Sequence, residues 1–137
     1  MTIDGAALLA HAAEAAEHAY VPYSRFRVGA VAVTADGRRF VGVNVENAAY
    51  GSTICAEGSA TSAAVTAGAR DIDTVAVYSL DGHDCFPCGN CLQLMHEFGV
   101  ATVIVADAAG APVAYPLEAL LPHGFGPESL SPPTPKT

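Results

Sequence analysis

Cys55 and Glu57 stand two residues apart in ICAEGSA, and Cys88 and Cys91 stand three apart in PCGNC. A thiolate is a nucleophile and a soft metal ligand, and a carboxylate can carry a proton. A carboxylate without a partner is costly to bury. Glu57 therefore either faces solvent on a helix or stands beside something that uses its proton. Three residues make about one helical turn, so Cys88 and Cys91 can turn toward one point at a helix start.

Cys55 opens one expected helix and Cys88 opens another. A thiolate gains from the partial positive charge at a helix N-terminus. Three thiols at two helix starts make a plausible Zn²⁺ site of the catalytic kind, which keeps three protein ligands and one open position. Two other readings stand beside it. With Cys85 added, the four cysteines would close around a structural zinc and leave Glu57 as a surface residue. A Cys-x-x-Cys pair also serves dithiol redox chemistry. Glu57 favours the catalytic reading. Two residues after a ligand, a carboxylate lies beside the metal without having to bind it. There it can pass a proton from water to a substrate. Zinc nucleobase deaminases combine a His or Cys, then x-Glu, with Pro-Cys-x-x-Cys. CAE and PCGNC supply both halves, and the pair is far more specific than either alone.

These residues need elements to hold them. Asp4 to about Ala19 is alanine-rich, with Leu8, Leu9, Ala12, Ala15, Ala16 and Ala19 near one stripe, which predicts an amphipathic helix. Pro22 ends it, and VPYSRF reads as extended. VGAVAV and RRFVGVNV read as two strands joined at Asp36-Gly37, a hairpin signal. NAAYGSTI is a loop. A second helix runs from Cys55 to about Ala67, before Gly68. Asp73 to Leu80 is a buried strand, Cys88 to Phe98 a third helix before Gly99, ATVIVAD another strand, and PLEALLP a short helical turn. Strands alternating with helices imply a layered α/β domain with parallel pairs in its sheet.

The chain of 137 residues fits one domain, and its apolar half is enough for a packed core. Residues 1–130 read as that domain, and 131–137, SPPTPKT, as a disordered proline-rich tail. The net charge is −8, and six Lys and Arg form no basic run. Duplex DNA or long RNA is excluded as a partner, because neutralising phosphates takes clustered cations. No apolar run approaches the roughly 20 residues a bilayer needs. The acidic N-terminus lacks a signal peptide's basic start. A cytoplasmic location is expected, where thiols stay reduced and the cysteines call for metal or catalysis. The five histidines are scattered. None is assigned to a metal, and only His83, near Cys85, stands close to the cysteines.

From AYVPYSRFRVGA through NVENAAYG, TICAEGSA and PCGNC to LLPHGFGPESL, the chain resembles the cytidine deaminase family, in its small form with three cysteine ligands. The resemblance implies a three-layer α/β/α domain with a mixed, roughly five-stranded sheet. It implies one Zn²⁺ per chain on Cys55, Cys88 and Cys91, with Glu57 as proton shuttle. Asn44 and Glu46 match residues that hold the ribose 3′-hydroxyl. Phe26 matches an aromatic packed on the pyrimidine, and the Ala56 backbone matches a contact to the base edge. Ala48, Tyr50 and Phe125 match positions that reach a neighbouring subunit's site in a homotetramer. By spacing alone, Phe26 reads instead as core, Asn44 and Glu46 as polar positions at a strand end, and Tyr50 and Phe125 as packing aromatics.

The implied reaction is hydrolytic deamination of cytidine and 2′-deoxycytidine in pyrimidine salvage, with a small nucleoside as the only partner besides other subunits. Two positions depart from the family. Gly58 and Leu92 stand where it often has arginines that can hydrogen-bond the thiolates. A deaminase of a modified cytosine nucleoside such as blasticidin S, or a non-catalytic zinc module, remains an alternative.

Overall fold

A computed structural model describes residues 3–82, 84–130 and 137. Helix α1, Gly5–Ala16, is opened by Asp4, whose carboxylate accepts the Ala7 N–H at 3.2 Å. Such a cap satisfies a donor the first turn leaves free. Strands β1, Val28–Thr34, and β2, Arg39–Val43, form an antiparallel hairpin around Gly37, whose φ of +90° suits glycine. Helix α2, Ala56–Thr66, stops before Gly68, at φ +101°. Strand β3, Ile72–Ser79, leads to helix α3, Gly89–Glu97, and then to strand β4, Thr102–Ala106. Strand β5, Pro112–Pro116, and the short helix α4, Leu117–Leu120, follow.

The sheet order is β2-β1-β3-β4-β5. Strands β3 and β4 run parallel across α3, and the other described neighbours are antiparallel. A parallel pair needs a long crossover, and α3 provides it. Alternate side chains of each strand point to opposite faces. Val31, Val33, Ala76 and Ile104 pack on Leu8, Leu9 and Ala12 of α1. Ala30, Ala32, Val75, Val77 and Val103 pack with Ala60 and Ala64 of α2 and Met95 of α3 on the other face. The expected α/β/α layering and mixed five-stranded sheet are present.

Two glycines let the helices sit close to the sheet. A Cβ on Gly29 would lie 1.9 Å from the Ala12 carbonyl oxygen in α1. One on Gly42 would lie 2.2 Å from the Ala60 nitrogen in α2. Both helices are alanine-rich where they touch, so backbone approaches backbone. Ser59 fastens α2 further by donating its hydroxyl to the Val43 carbonyl at 2.9 Å. The start of α2, and with it Cys55 and Glu57, is thereby set against the sheet.

Two features differ from the sequence reading. VPYSRF is not extended: residues 22–24 form a turn, the Arg25 N–H donates to the Val21 carbonyl at 3.0 Å, and Arg25 adopts φ +58°. The fold there is set by side chains far along the chain, described below. Strand β5 falls between ATVIVAD and PLEALLP, a stretch to which the sequence reading assigns no element; PVAYP carries a proline at each end. It pairs only with β4 and forms a sheet edge, where proline is tolerated. The tail at 131–136 and His83 lie outside the described residues. Among the described residues no helix is long and apolar enough to cross a membrane.

Candidate active site

Cys55 is the residue before α2 and Cys88 the residue before α3, each in extended backbone as an N-cap requires. Cys91 follows in the first turn of α3. The two helix starts converge, and the three sulfurs lie within 4.8 Å of one another. Cys91 is buried, Cys55 half-buried and Cys88 exposed, so the cluster is sealed below and open on one side. Three soft donors this close, with one side open, fit a zinc ion with one non-protein position.

Electrostatics separate the three thiols. Burial, then the charge of Glu57, pushes the Cys91 thiol well up. Burial also raises Cys55. Cys88 is lowered, first by the Cys91 backbone N–H at the start of α3 and despite some burial. A bound divalent cation inverts this local balance, since its ligands must be deprotonated. Among the described residues, the groups acting on these thiols are Glu57, backbone amides and one another; no cationic side chain is among them. The arginines missing at Gly58 and Leu92 have no described replacement. Leu92 is part of the main core. A Cβ at Gly58 would meet its nearest atoms, on Ile54 and Leu94, at 3.7 and 3.8 Å, so that position has room for a side chain.

Glu57 is only 6% exposed. Burial pushes its carboxyl up, and its own backbone N–H and then the Cys91 thiol partly offset this. It is therefore not the solvent-facing residue of the bland reading. Cys85 is half-buried and packs on the main core. Burial, with the charge of Glu57, raises its thiol to about 11. It stands outside the three-sulfur group, so among the described residues the cysteines form no closed four-sulfur cluster.

A second group of residues lies around the start of β1 and the end of β2, where the Val45–Ile54 bridge ties the chain to the residue before Cys55. Phe26 is 37% exposed, and its ring lies on Gly82 so closely that a Cβ there would be 2.5 Å from Cε2. Asn44 donates from Nδ2 to the Phe26 carbonyl at 2.8 Å and accepts the Val28 N–H on Oδ1 at 3.0 Å. Glu46 accepts the N–H groups of Tyr23 and Ser24 on Oε1, both at 3.0 Å. Bonds from Ser24 hold the Glu46 carboxyl below its ordinary range. These side chains shape the 21–28 turn and present Phe26. Ala56 begins α2, where backbone N–H groups lack helical partners. Ala48, Tyr50 and Phe125 are exposed, the two aromatics at 77% and 58%. Tyr50 meets Tyr23 edge-on, with ring centroids 6.0 Å apart.

Three supporting residues were not singled out in the sequence. Arg27 grips Asp81 through Nε and Nη2, both at 2.9 Å, while its N–H donates to Oδ2 at 2.8 Å. This ties the loop after β3 to the Phe26 segment. Gln93, on α3, bonds the backbone of Phe125. No local spacing pattern joins residues so distant in the chain.

A mixed-sheet α/β/α domain that brings three thiols and a buried carboxylate to two helix starts has the design of the zinc nucleobase deaminases. Residues 4–107 match the family model described as the cytidine and deoxycytidylate deaminase zinc-binding region. A cytidine deaminase of Halalkalibacterium halodurans is 39% identical over 131 residues, covering 94% of this chain and 99% of that protein. One from Mycobacterium tuberculosis is 41% identical over 130 residues, covering 93% of this chain and 94% of that protein. The crystal structure of cytidine deaminase from Burkholderia pseudomallei matches with a TM-score of 0.80 at 41% identity, covering 90% of this chain and 100% of that one. The chain belongs to the cytidine deaminase family.

Proposed function

We propose that this chain deaminates cytidine and 2′-deoxycytidine by hydrolysis, giving uridine or deoxyuridine and ammonia. The observation that carries the reading is the buried Glu57 carboxylate beside three converging sulfurs. Zinc held by Cys55, Cys88 and Cys91 would supply Lewis acidity that makes water acidic enough to act as nucleophile near neutral pH. Glu57 takes the proton of the attacking water and delivers it to N3 of the pyrimidine as C4 is attacked. It then takes the second proton from the hydroxyl now on C4 and gives it to the amino group, which leaves as ammonia as the C4–N bond breaks and the C4 carbonyl forms, so one carboxylate works in both directions. Burial keeps bulk water from competing for that proton.

The exposed face of Phe26 packs on the base, and the backbone at Ala56 meets its edge. Asn44 and Glu46 hold the ribose 3′-hydroxyl. Glu46 commits Oε1 to the turn and has Oε2 to offer, and the Asn44 amide has a second proton to donate. Ala48, Tyr50 and Phe125 complete a neighbouring subunit's site in a homotetramer, a role supported by their exposure. Residues 1–130 form the catalytic unit, working in cytoplasmic pyrimidine salvage.

The test is a direct ultraviolet assay of zinc-quantified protein with cytidine, deoxycytidine and blasticidin S, following loss of the amino chromophore and release of ammonia. Turnover of cytidine with one zinc per chain is expected. Full zinc loading without cytidine turnover would overturn the reading and turn attention to modified cytosines.

A further inference from the structure

Gln93 stands two residues beyond Cys91 on α3 and is bonded to the backbone of Phe125 at both ends of its side-chain amide. Oε1 accepts the Phe125 N–H at 3.1 Å, and Nε2 donates to the Phe125 carbonyl. A side-chain amide carries one acceptor and one donor group, so it can satisfy both polar groups of one residue. One turn further on, His96 meets the Glu128 carboxylate at 3.5 Å. The His96 ring also lies against Gly124, where a Cβ would be 3.0 Å from Cγ. The segment around Phe125 is thus seated on the helix that Cys88 precedes and that carries Cys91. Its ring points outward and is 58% exposed. A large apolar ring displayed on a backbone fixed at both polar groups is a preorganised contact.

We propose that Gln93 is a positioning residue acting in trans: it locks Phe125 onto α3 so that one subunit presents this ring, in fixed register, to the site of its neighbour. The proposal rests on the reading that Phe125 completes an adjacent site. Gln93 touches no reacting atom. Its loss frees the Phe125 backbone and weakens substrate binding next door, while its own subunit's Cys91 and Glu57 remain in place.

Three variants test this. Phe125→Ala examines the underlying reading, and Gln93→Ala the lock. Gln93→Glu keeps the size and the acceptor of the side chain but removes the donor. With one zinc per chain retained, Gln93→Ala should raise KM for cytidine roughly tenfold with kcat changed less than about twofold, as expected for two lost hydrogen bonds that act on binding. Gln93→Glu should raise KM less. Gln93→Ala subunits are then co-assembled with an excess of Glu57→Gln subunits, whose own sites are inactive but whose Phe125 is normally held. All turnover comes from the Gln93→Ala sites, now served by intact neighbours, and KM should return to the wild-type value. A raised KM that persists in the hybrid overturns action in trans. Normal KM in both Gln93 variants alongside a raised KM in Phe125→Ala overturns the lock alone. Normal KM in Phe125→Ala overturns the reading beneath it. If Gln93→Ala fails to fold, Gln93→Glu carries the same hybrid comparison.

Discussion

Asn44, the residue after β2, brackets Phe26: its amide donates to the Phe26 carbonyl at 2.8 Å and accepts the Val28 N–H at 3.0 Å. The residue proposed to hold the sugar therefore also fixes the residue proposed to hold the base. Asn44→Ala should show both roles at once. It removes two hydrogen bonds from a partly buried segment, at about 1–2 kcal/mol of stability in total. KM for cytidine should rise more than tenfold, because two contacts to the nucleoside are disturbed. Asn44→Asp retains the acceptor for Val28 but not the donor for Phe26, and should fall between. Denaturant melts and cytidine kinetics on the same samples check the pairing. A large loss of stability with unchanged KM would separate the two roles.

Glu57→Gln preserves shape and removes only the ability to carry a proton. Turnover of cytidine should fall by about 10²–10⁴, the usual worth of a positioned acid–base group. Zinc content should stay at one per chain. The melting temperature should hold or rise, since a neutral amide costs less to bury than a carboxylate that is 6% exposed. Metal analysis, a thermal melt and the ultraviolet assay together distinguish this from unfolding or loss of metal.

The two cysteines on either side of Phe86-Pro87 should behave oppositely. Cys85→Ser should keep zinc and activity, because Cys85 lies outside the sulfur cluster. Cys88→Ser should lose zinc, because it removes one of three soft donors. In metal-free protein at pH 8, an alkylating reagent should label Cys88 before Cys85. Burial raises Cys85 to about 11, whereas the start of α3 lowers Cys88, and only the thiolate reacts. Zinc loss in Cys85→Ser would revive the four-cysteine site.

What could be read from the sequence was what is encoded locally. CAE and PCGNC lie at helix starts, and a cap, a dipole and a metal ligand all ask for that position. The helix ends at Gly68 and Gly99 were likewise legible, because left-handed backbone favours glycine. What escaped is held by distant partners. The 21–28 turn exists because Glu46 and Asn44 bind its amides and carbonyl, and VPYSRF alone gives no sign of them. Strand β5 escaped because its prolines mask a pairing that only a sheet edge permits. Gly29 and Gly42 looked like ordinary strand glycines until α1 and α2 were seen pressed against them.

The Arg27–Asp81 pair sets a test in acid. Arg27 hydrogen-bonds Asp81 and holds its carboxyl down at about 2, against about 3.9 in an unfolded chain. The folded state thus takes up this proton less readily than the unfolded one. The pair's stabilisation is present above about pH 4 and is lost as pH falls through about 2. Asp81→Asn, which cannot form the ion pair at any pH, should melt at a lower temperature than wild type at pH 7. Between pH 4 and 2 the gap should narrow, because only the wild type still has this pair to lose. The pair is partly exposed, so the difference should also shrink in high salt. Melting curves of both proteins at matched zinc content, from pH 7 to 2, give the answer. A gap that stays constant across that range would mean that Asp81 acts through its backbone-facing hydrogen bond to Arg27 rather than through its charge.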